Sequence, residues 1–260
     1  MSNKLHAGDV AVVIPAYNEA ATIADVVRRA RAQVARVIVV DDGSTDNTVA
    51  ELADLDITLL RNTVNCGKGA SLWRGARQAV EAGARAIITL DADGQHSPED
   101  IPRVIAAAES APDNIVIASR LRHQENAPAL RLFANRMANF WISWAAGYFI
   151  ADSQSGFRLY PANVLEQVQV SHERQHSFVF ESEILIDAAW KGVRSVPVPI
   201  DSVYFEAARP SHYRATADTL LIIRMVAGRL LRRGMNPVGL VRVLRALLSR
   251  PASANNSGSQ

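Results

Sequence analysis

Short runs of aliphatic and β-branched residues recur along the chain, each closed by turn-forming residues: Val10–Ile14, Val37–Asp41, Ile57–Leu60, Ala86–Leu90 and Ile115–Ala118. Helix-period patterns separate them at Glu19–Gln33, Thr45–Leu55, Lys68–Ala82 and Pro98–Ser110. Strands alternating with helices of this length predict an α/β fold with a mostly parallel central sheet covered on both faces. The runs VIVV and IITL are apolar without alternation, as a doubly covered sheet requires. Ligands of such sheets bind beyond the carboxyl ends of the strands.

The segments that follow these runs are polar. Pro15-Ala16-Tyr17-Asn18-Glu19 follows the first, Asp41-Asp42-Gly43-Ser44-Thr45-Asp46 the second, Asp91-Ala92-Asp93-Gly94-Gln95-His96 the fourth and Ser119-Arg120 the fifth. Two carboxylates as close as Asp91 and Asp93 repel each other and call for a cation. Magnesium or manganese, held by one or two carboxylates and by substrate phosphates, meets that need. A bare Asp-x-Asp also suits an ordinary acidic loop; its place at a strand end is what favours a site. Asp41-Asp42-Gly43-Ser44 fits a turn and also a carboxylate facing a base or ribose. Arg120, at a strand end beside these acids, suits a phosphate. Gly67-Lys68-Gly69 lacks the spacing of a phosphate loop and reads as a glycine turn opening a helix, with Lys68 near the nucleotide. No G-x-G-x-x-G follows the first strand, which argues against a dehydrogenase.

Composition sharpens this picture. Cys66 is the sole cysteine of 260 residues, so no intrachain disulfide forms and a reducing, cytoplasmic setting fits. The net charge of +2 conceals an asymmetry. Residues 209–250 hold nine arginines against one acid, Asp218, while residues 1–208 hold 19 basic and 25 acidic side chains. A basic tail on an acidic body points to an anionic partner. It lacks a nucleic-acid recognition motif, so the expected surface is an anionic membrane and no nucleic acid is expected. Helices are expected at Ala215–Arg233 and Val238–Ser249, the second opened by Asn236-Pro237. The stripe Leu220, Ile223, Val226, Ala227, Leu230 and Leu231 equally suits packing on the main domain or on a partner subunit, which leaves a homo-oligomer open. The aromatic stretch Met137–Ala151 is too short to span a bilayer and reads either as a core helix or as a lipid-facing surface.

With Gly67-Lys68-Gly69 and Asp152-Ser153-Gln154-Ser155-Gly156-Phe157-Arg158 added, six motifs stand in register over residues 10–215. Together they resemble family 2 glycosyltransferases, in particular the branch of polyprenyl-phosphate (dolichyl-phosphate) mannose and glucose synthases. The resemblance implies a GT-A catalytic domain over residues 10–208, between an N-terminal extension, 1–9, and basic C-terminal helices, 209–249, with a disordered tail, 250–260. It implies inverting transfer of a hexose from a nucleotide sugar, GDP-mannose or a UDP-sugar, to a polyprenyl-phosphate lipid, with Mg2+ or Mn2+ as cofactor. It assigns Pro15, Tyr17, Glu19, Val40 and Asp42 to the nucleoside. Asp91, Ala92, Asp93 and Gln95 go to the metal and diphosphate, with Asp91 and Asp93 as metal ligands. Arg120 goes to phosphate, Arg131 to the acceptor phosphate and Arg209 to the nucleotide diphosphate. His96 and His212 approach the site by motif position, and an acid among Glu181 and Glu183 faces the acceptor. No transmembrane pair follows the catalytic region, unlike many relatives, so attachment on the cytoplasmic face is expected to be peripheral. The same fold acting on a glycan, a soluble metabolite or a lipid hydroxyl is the competing expectation, and a non-catalytic nucleotide-sugar or membrane-binding protein a more distant one.

Overall fold

The computed structural model describes residues 4–119, 129–168, 179–200 and 215–249. Its centre is a seven-stranded sheet built from β1 (Val10–Ala16), β2 (Arg36–Asp41), β3 (Thr58–Arg61), β4 (Ala86–Thr89), β5 (Ile115–Ser119), β6 (Arg158–Pro161) and β7 (Ser195–Pro199). The order across the sheet is β3-β2-β1-β4-β6-β5-β7. β6 alone runs antiparallel, between β4 and β5; the other pairs are parallel.

Every residue of β1 is buried, and its side chains alternate between two cores. Ala11 and Val13 face a core shared with α2 (Lys68–Glu81), α4 (Ala129–Ala146) and α6 (Val179–Trp190). Val10, Val12 and Ile14 face the other, closed by α1 (Ile23–Arg31) and α3 (Ile101–Ser110). Each such buried aliphatic side chain contributes about 1.5–3 kcal/mol, which explains the unbroken apolar runs. α2 sits close on the sheet because Gly75 has no side chain: a Cβ there would lie 2.5 Å from Val13 Cγ1 and 2.9 Å from Val40 Cγ2. That close seat brings the first turn of α2 over the ends of β1, β2 and β4.

Three details differ from the sequence reading. The helix expected over Thr45–Leu55 is one 3-10 turn, Ala50–Leu52. Asn18 Oδ1 instead takes the N–H groups of Thr45 and Asp46, and Asp46 Oδ1 takes that of Thr48. Side-chain acceptors of this kind compete with the helical backbone ladder. β6 and β7 carry few β-branched residues and gave no strand signal; β7 tolerates Pro197 and Pro199 because it is an edge strand. The expected helix Pro98–Ser110 is a 3-10 turn, Pro98–Asp100, running into α3.

Beyond β6 lies the short α5 (Ala162–Gln167), and after β7 come α7 (Ala215–Arg232) and α8 (Pro237–Leu248). Asn236 caps α8 through its side chain, accepting from Gly239 N at 3.1 Å. Among the described residues no helix is long and apolar enough to cross a membrane.

Candidate active site

The site grows from the carboxyl end of β4. Leu90 N donates to Val13 O at 3.1 Å, the last sheet bond, and Asp91 follows at once. From there burial alternates: Asp91, Asp93 and Gln95 are half-buried while Ala92, Gly94 and His96 are buried. Asp93 Oδ1 accepts the Gln95 N–H at 3.0 Å, and Gly94 takes φ +74°, so the segment turns and keeps both acids on the edge. His96 packs edge-on against Phe157, its Nε2 4.0 Å from Asp91 Oδ2.

Lys68, in the first turn of α2, places Nζ 2.7 Å from Asp91 Oδ1 and 3.4 Å from Glu181 Oε2. Burial opposes the charge on Lys68, but the carboxylates of Asp91 and Glu181 outweigh it and raise its pKa above the usual lysine range. The ammonium group is therefore a fixed positive charge at the sheet edge. Gly156 closes the other side of Asp91: a Cβ there would stand 2.6 Å from Asp91 Oδ2 and 3.0 Å from Lys68 Nζ. Behind it, Arg158 is fully buried and donates to the carbonyls of Ser153, Ser155 and Glu181 at 2.7–2.8 Å. The buried guanidinium thus ties the 153–156 loop to the start of α6 and holds Gly156 and Glu181 against Lys68.

The second half of the edge is joined to the first through the same turn. Pro15 and Val40 are register partners across β1 and β2, followed by Ala16 and Asp41. Tyr17 and Glu19 are half-buried just beyond; Glu19 N donates to Thr48 Oγ1 at 2.8 Å, and Asn18 adopts φ +58°. The Asp42 carboxylate faces inward. It accepts Asn62 Nδ2 at 2.7 Å and the backbone N–H groups of Cys66 and Gly67, both at 2.8 Å. The Asp42 backbone N–H donates to Ala16 O at 2.8 Å, so this group too is engaged within the fold. Its neighbour Asp41 holds a buried oxygen, Oδ2, that among the described residues has no hydrogen bond; Arg61 Nε lies 3.7 Å away. Residues 66–68 therefore connect Asp42 to Asp91 directly, which accounts for the Gly67-Lys68 pair.

Of the residues singled out in the sequence, Pro15, Tyr17, Glu19, Val40, Asp42, Asp91, Ala92, Asp93 and Gln95 come together along this one edge. Arg120, Arg209 and His212 lie outside the described residues, as does the side chain of Arg131, whose backbone falls in α4. Glu181 faces the site through Lys68. Glu183 does not: with Asp187 it binds Arg229 of α7, at 2.6 Å from Arg229 Nη2. In the sequence Lys68 is expected near the nucleotide and Gly156 is visible only as a motif member, while nothing local distinguishes Asp41 from Asp42.

Asp91 and Asp93 offer hard carboxylate oxygens, and no group of three or more His, Cys, Asp or Glu side chains converges to hold a metal among the described residues. That donor set suits magnesium or manganese, which take one or two carboxylates and complete their shell with phosphate and water. It does not suit a zinc site of three or four protein ligands.

Residues 11–168 match the family model for glycosyl transferase family 2. The chain is 31% identical over 227 residues to UDP-N-acetylglucosamine–dolichyl-phosphate N-acetylglucosaminyltransferase of Methanococcus voltae, covering 79% of this chain and 88% of that one. It is 32% identical over 200 residues to polyprenol monophosphomannose synthase of Mycolicibacterium smegmatis, covering 73% and 75%. In three dimensions it resembles glucosyl-3-phosphoglycerate synthase from Mycobacterium tuberculosis, solved with Mn2+, UDP and glucosyl-3-phosphoglycerate, with a TM-score of 0.58 at 21% identity over 86% of this chain and 79% of that one. That last likeness concerns the fold, the GT-A architecture expected from the sequence.

Proposed function

The chain belongs to glycosyl transferase family 2, and from that premise we propose that it transfers a hexose from a nucleotide sugar to a polyprenyl phosphate with inversion at the anomeric carbon. The observation that carries the reading is the junction of Asp42 and Asp91 through Gly67-Lys68, which builds one continuous edge for a nucleoside and its diphosphate. The similarity to relatives named for dolichyl-phosphate and polyprenol-phosphate products supports a lipid phosphate as acceptor.

In this reading the nucleoside lies over Pro15, Tyr17, Glu19, Val40 and Asp42, and Asp41 Oδ2, which faces the Arg61 charge, accepts a donor N–H of the base. The diphosphate lies against Asp91, Ala92, Asp93 and Gln95. Asp91 and Asp93 would hold a magnesium or manganese ion, which would supply positive charge against the developing charge of the diphosphate. Lys68 supplies a second, fixed positive charge beside it. An oxygen of the acceptor phosphate attacks the anomeric carbon from the opposite face. The bond from that carbon to the diphosphate oxygen breaks, and the electron pair leaves with the nucleoside diphosphate. A phosphate acceptor is ionised at neutral pH, so no general base is required. Glu181, held on Lys68, orients that lysine and removes no proton. Arg120, Arg131 and Arg209 are assigned to the phosphates of acceptor and donor by the family match alone.

The test is transfer of radiolabelled sugar from a panel of GDP- and UDP-sugars, with and without manganese, to polyprenyl phosphate. Formation of an acid-labile lipid-linked sugar is expected. Product formed only on a glycan, a soluble metabolite or a lipid hydroxyl would reject the assigned acceptor.

A further inference from the structure

The large exposed hydrophobic side chains of this protein are not scattered. Twelve are found among the described residues, and all except Val64 lie on α4, α7, α8 or the turn joining α7 to α8. Soluble surfaces carry such residues singly, so a concentration on one group of helices marks a contact surface.

α8 shows why. It buries Gly239 and Val243, with Leu240 and Ala246 half-buried beside them, where it packs on α4. At about 100° per residue, Val238, Val241, Leu244 and Leu248 fall on the opposite arc, at 59%, 47%, 43% and 85% exposure. Arg245 falls within that arc and Arg242 beside it, and both are exposed. The helix is thus apolar on two sides, and among the described residues only one has a partner.

α4 continues the surface. Phe133, Met137 and Trp141 stand four residues apart on one stripe, all exposed. Trp141 stacks on Trp144 at 5.2 Å between ring centroids. Trp144 Nε1 donates to Met235 O at 2.9 Å, and Asn236 Nδ2 donates to Trp144 O at 3.0 Å. The aromatic end of the α4 stripe is therefore fastened to the start of α8.

Charge decides what covers them. Neither α4 nor α8 contains an aspartate or glutamate, while Arg136, Arg242 and Arg245 are exposed. A second copy docking through this face would set arginine against arginine, which like-charge repulsion opposes. An anionic bilayer meets both features, since lipid tails accept the leucines and valines, headgroups accept the arginines, and tryptophan favours the boundary.

We propose that the exposed apolar faces of α4 and α8, two helices linked through Trp144 and Asn236, serve as an interfacial docking surface for an anionic lipid bilayer. The inference deepens the proposed reading, since a polyprenyl phosphate resides in a bilayer, but it stands on the exposure and charge of these two helices and is tested without that acceptor.

The full chain is sedimented with vesicles of phosphatidylcholine alone and of phosphatidylcholine mixed with phosphatidylglycerol. Binding to the mixed vesicles is expected, weakening as salt is raised. L244E/L248E and R242E/R245E each reduce partitioning at least about tenfold, while R77E, a charge reversal on α2, leaves it unchanged. Unchanged melting of the variants shows that they fold. Retained transfer to a short, water-soluble prenyl phosphate separates this surface from the reaction, because failure of that transfer in wild type counts against the proposed function alone. Wild type that stays in solution with both vesicles overturns the proposal. So do variants that bind as wild type does, and a dimer of wild type that L244E/L248E dissociates without any vesicle binding.

Discussion

Lys68 Nζ lies 2.7 Å from Asp91 Oδ1 and 3.4 Å from Glu181 Oε2, so one ammonium group answers two carboxylates at the edge of the sheet. A divalent ion arriving at Asp91 meets this lysine as a competitor. Once a diphosphate is bound, the same charge becomes an attraction. Lys68→Met keeps the length and removes the charge. Its expected effects are opposite in sign. Calorimetry without nucleotide shows tighter manganese binding than in wild type. Nucleoside diphosphate binds roughly ten- to a hundredfold more weakly, the loss of one charge-assisted hydrogen bond of about 1.5–3 kcal/mol. Unchanged manganese binding would show that Lys68 and the metal do not share Asp91.

Gly156 faces the other side of the same carboxylate. It has no left-handed backbone angle, and its only unusual property is the space it leaves: a Cβ would fall 2.6 Å from Asp91 Oδ2. Gly156→Ala is expected to push the Asp91 carboxylate aside and leave the fold intact. Sugar transfer drops by about a hundredfold, the scale set by losing one preorganised electrostatic contact in a site. The melting temperature stays within a few degrees. A variant as active as wild type would place the diphosphate elsewhere.

What the sequence made legible follows from periodicity. β1, β2, β4 and β5 are buried on both faces and read as apolar runs, and the strand-end rule then led from them to Asp91 and Asp93. β6 was hidden because its buried residues include Arg158, whose cost of burial is met by three carbonyl acceptors that no local pattern announces. Thr45–Leu55 was misread because Asn18, some 27 residues away, supplies the acceptor that ends the helix before it begins. The motif points to Asp42, and the inward bonds of its carboxylate to Cys66 and Gly67 are not visible in the sequence because they depend on how α2 seats on the sheet. The two-sided character of α4 was open in the sequence; the structure buries Ile142 and Ala145, as the core reading expects, and exposes Met137 and Trp141 on the other face.

Arg29 of α1 reaches Glu99 in the turn before α3, its Nη2 2.7 Å from Oε2. The hydrogen bond from Arg29 holds the Glu99 carboxyl down at about 2. An acid whose pKa falls on folding contributes stability above its unfolded pKa, about 4.3, and loses it as pH falls through the folded value. Glu99→Gln is therefore expected to be less stable than wild type near neutral pH, and the difference shrinks between about pH 4.3 and pH 2. Because Glu99 is half exposed, solvent limits the effect to about 0.5–1 kcal/mol. Urea melts across that pH range measure it; a difference constant with pH would show that the pair contributes nothing.

Arg229 fastens α7 to α6 by a pairing of different character. Its guanidinium bridges Glu183 and Asp187, with Nη2 2.9 Å from Asp187 Oδ2, and also lies over Trp190, 5.0 Å from the ring centroid. All three ionised groups are largely withdrawn from water, Glu183 to 1% exposure. Removing one partner of a buried ion pair costs about 3–5 kcal/mol, because the remaining charge is left uncompensated. Arg229→Met is expected to lose stability on that scale. Burial already raises the Asp187 pKa, and Arg229 opposes the rise. Without the arginine the folded state takes up a proton at Asp187 more readily than the unfolded chain, so the deficit is largest in mild alkali and narrows as pH falls toward 4, where a carboxylate protonates more easily. Adding Asp187→Asn to Arg229→Met removes one orphaned charge and recovers part of the loss at neutral pH. Chemical denaturation of the three proteins at several pH values checks this; a deficit that ignores pH and the second substitution would mean that Arg229 acts through its packing on Trp190 and not through its charge.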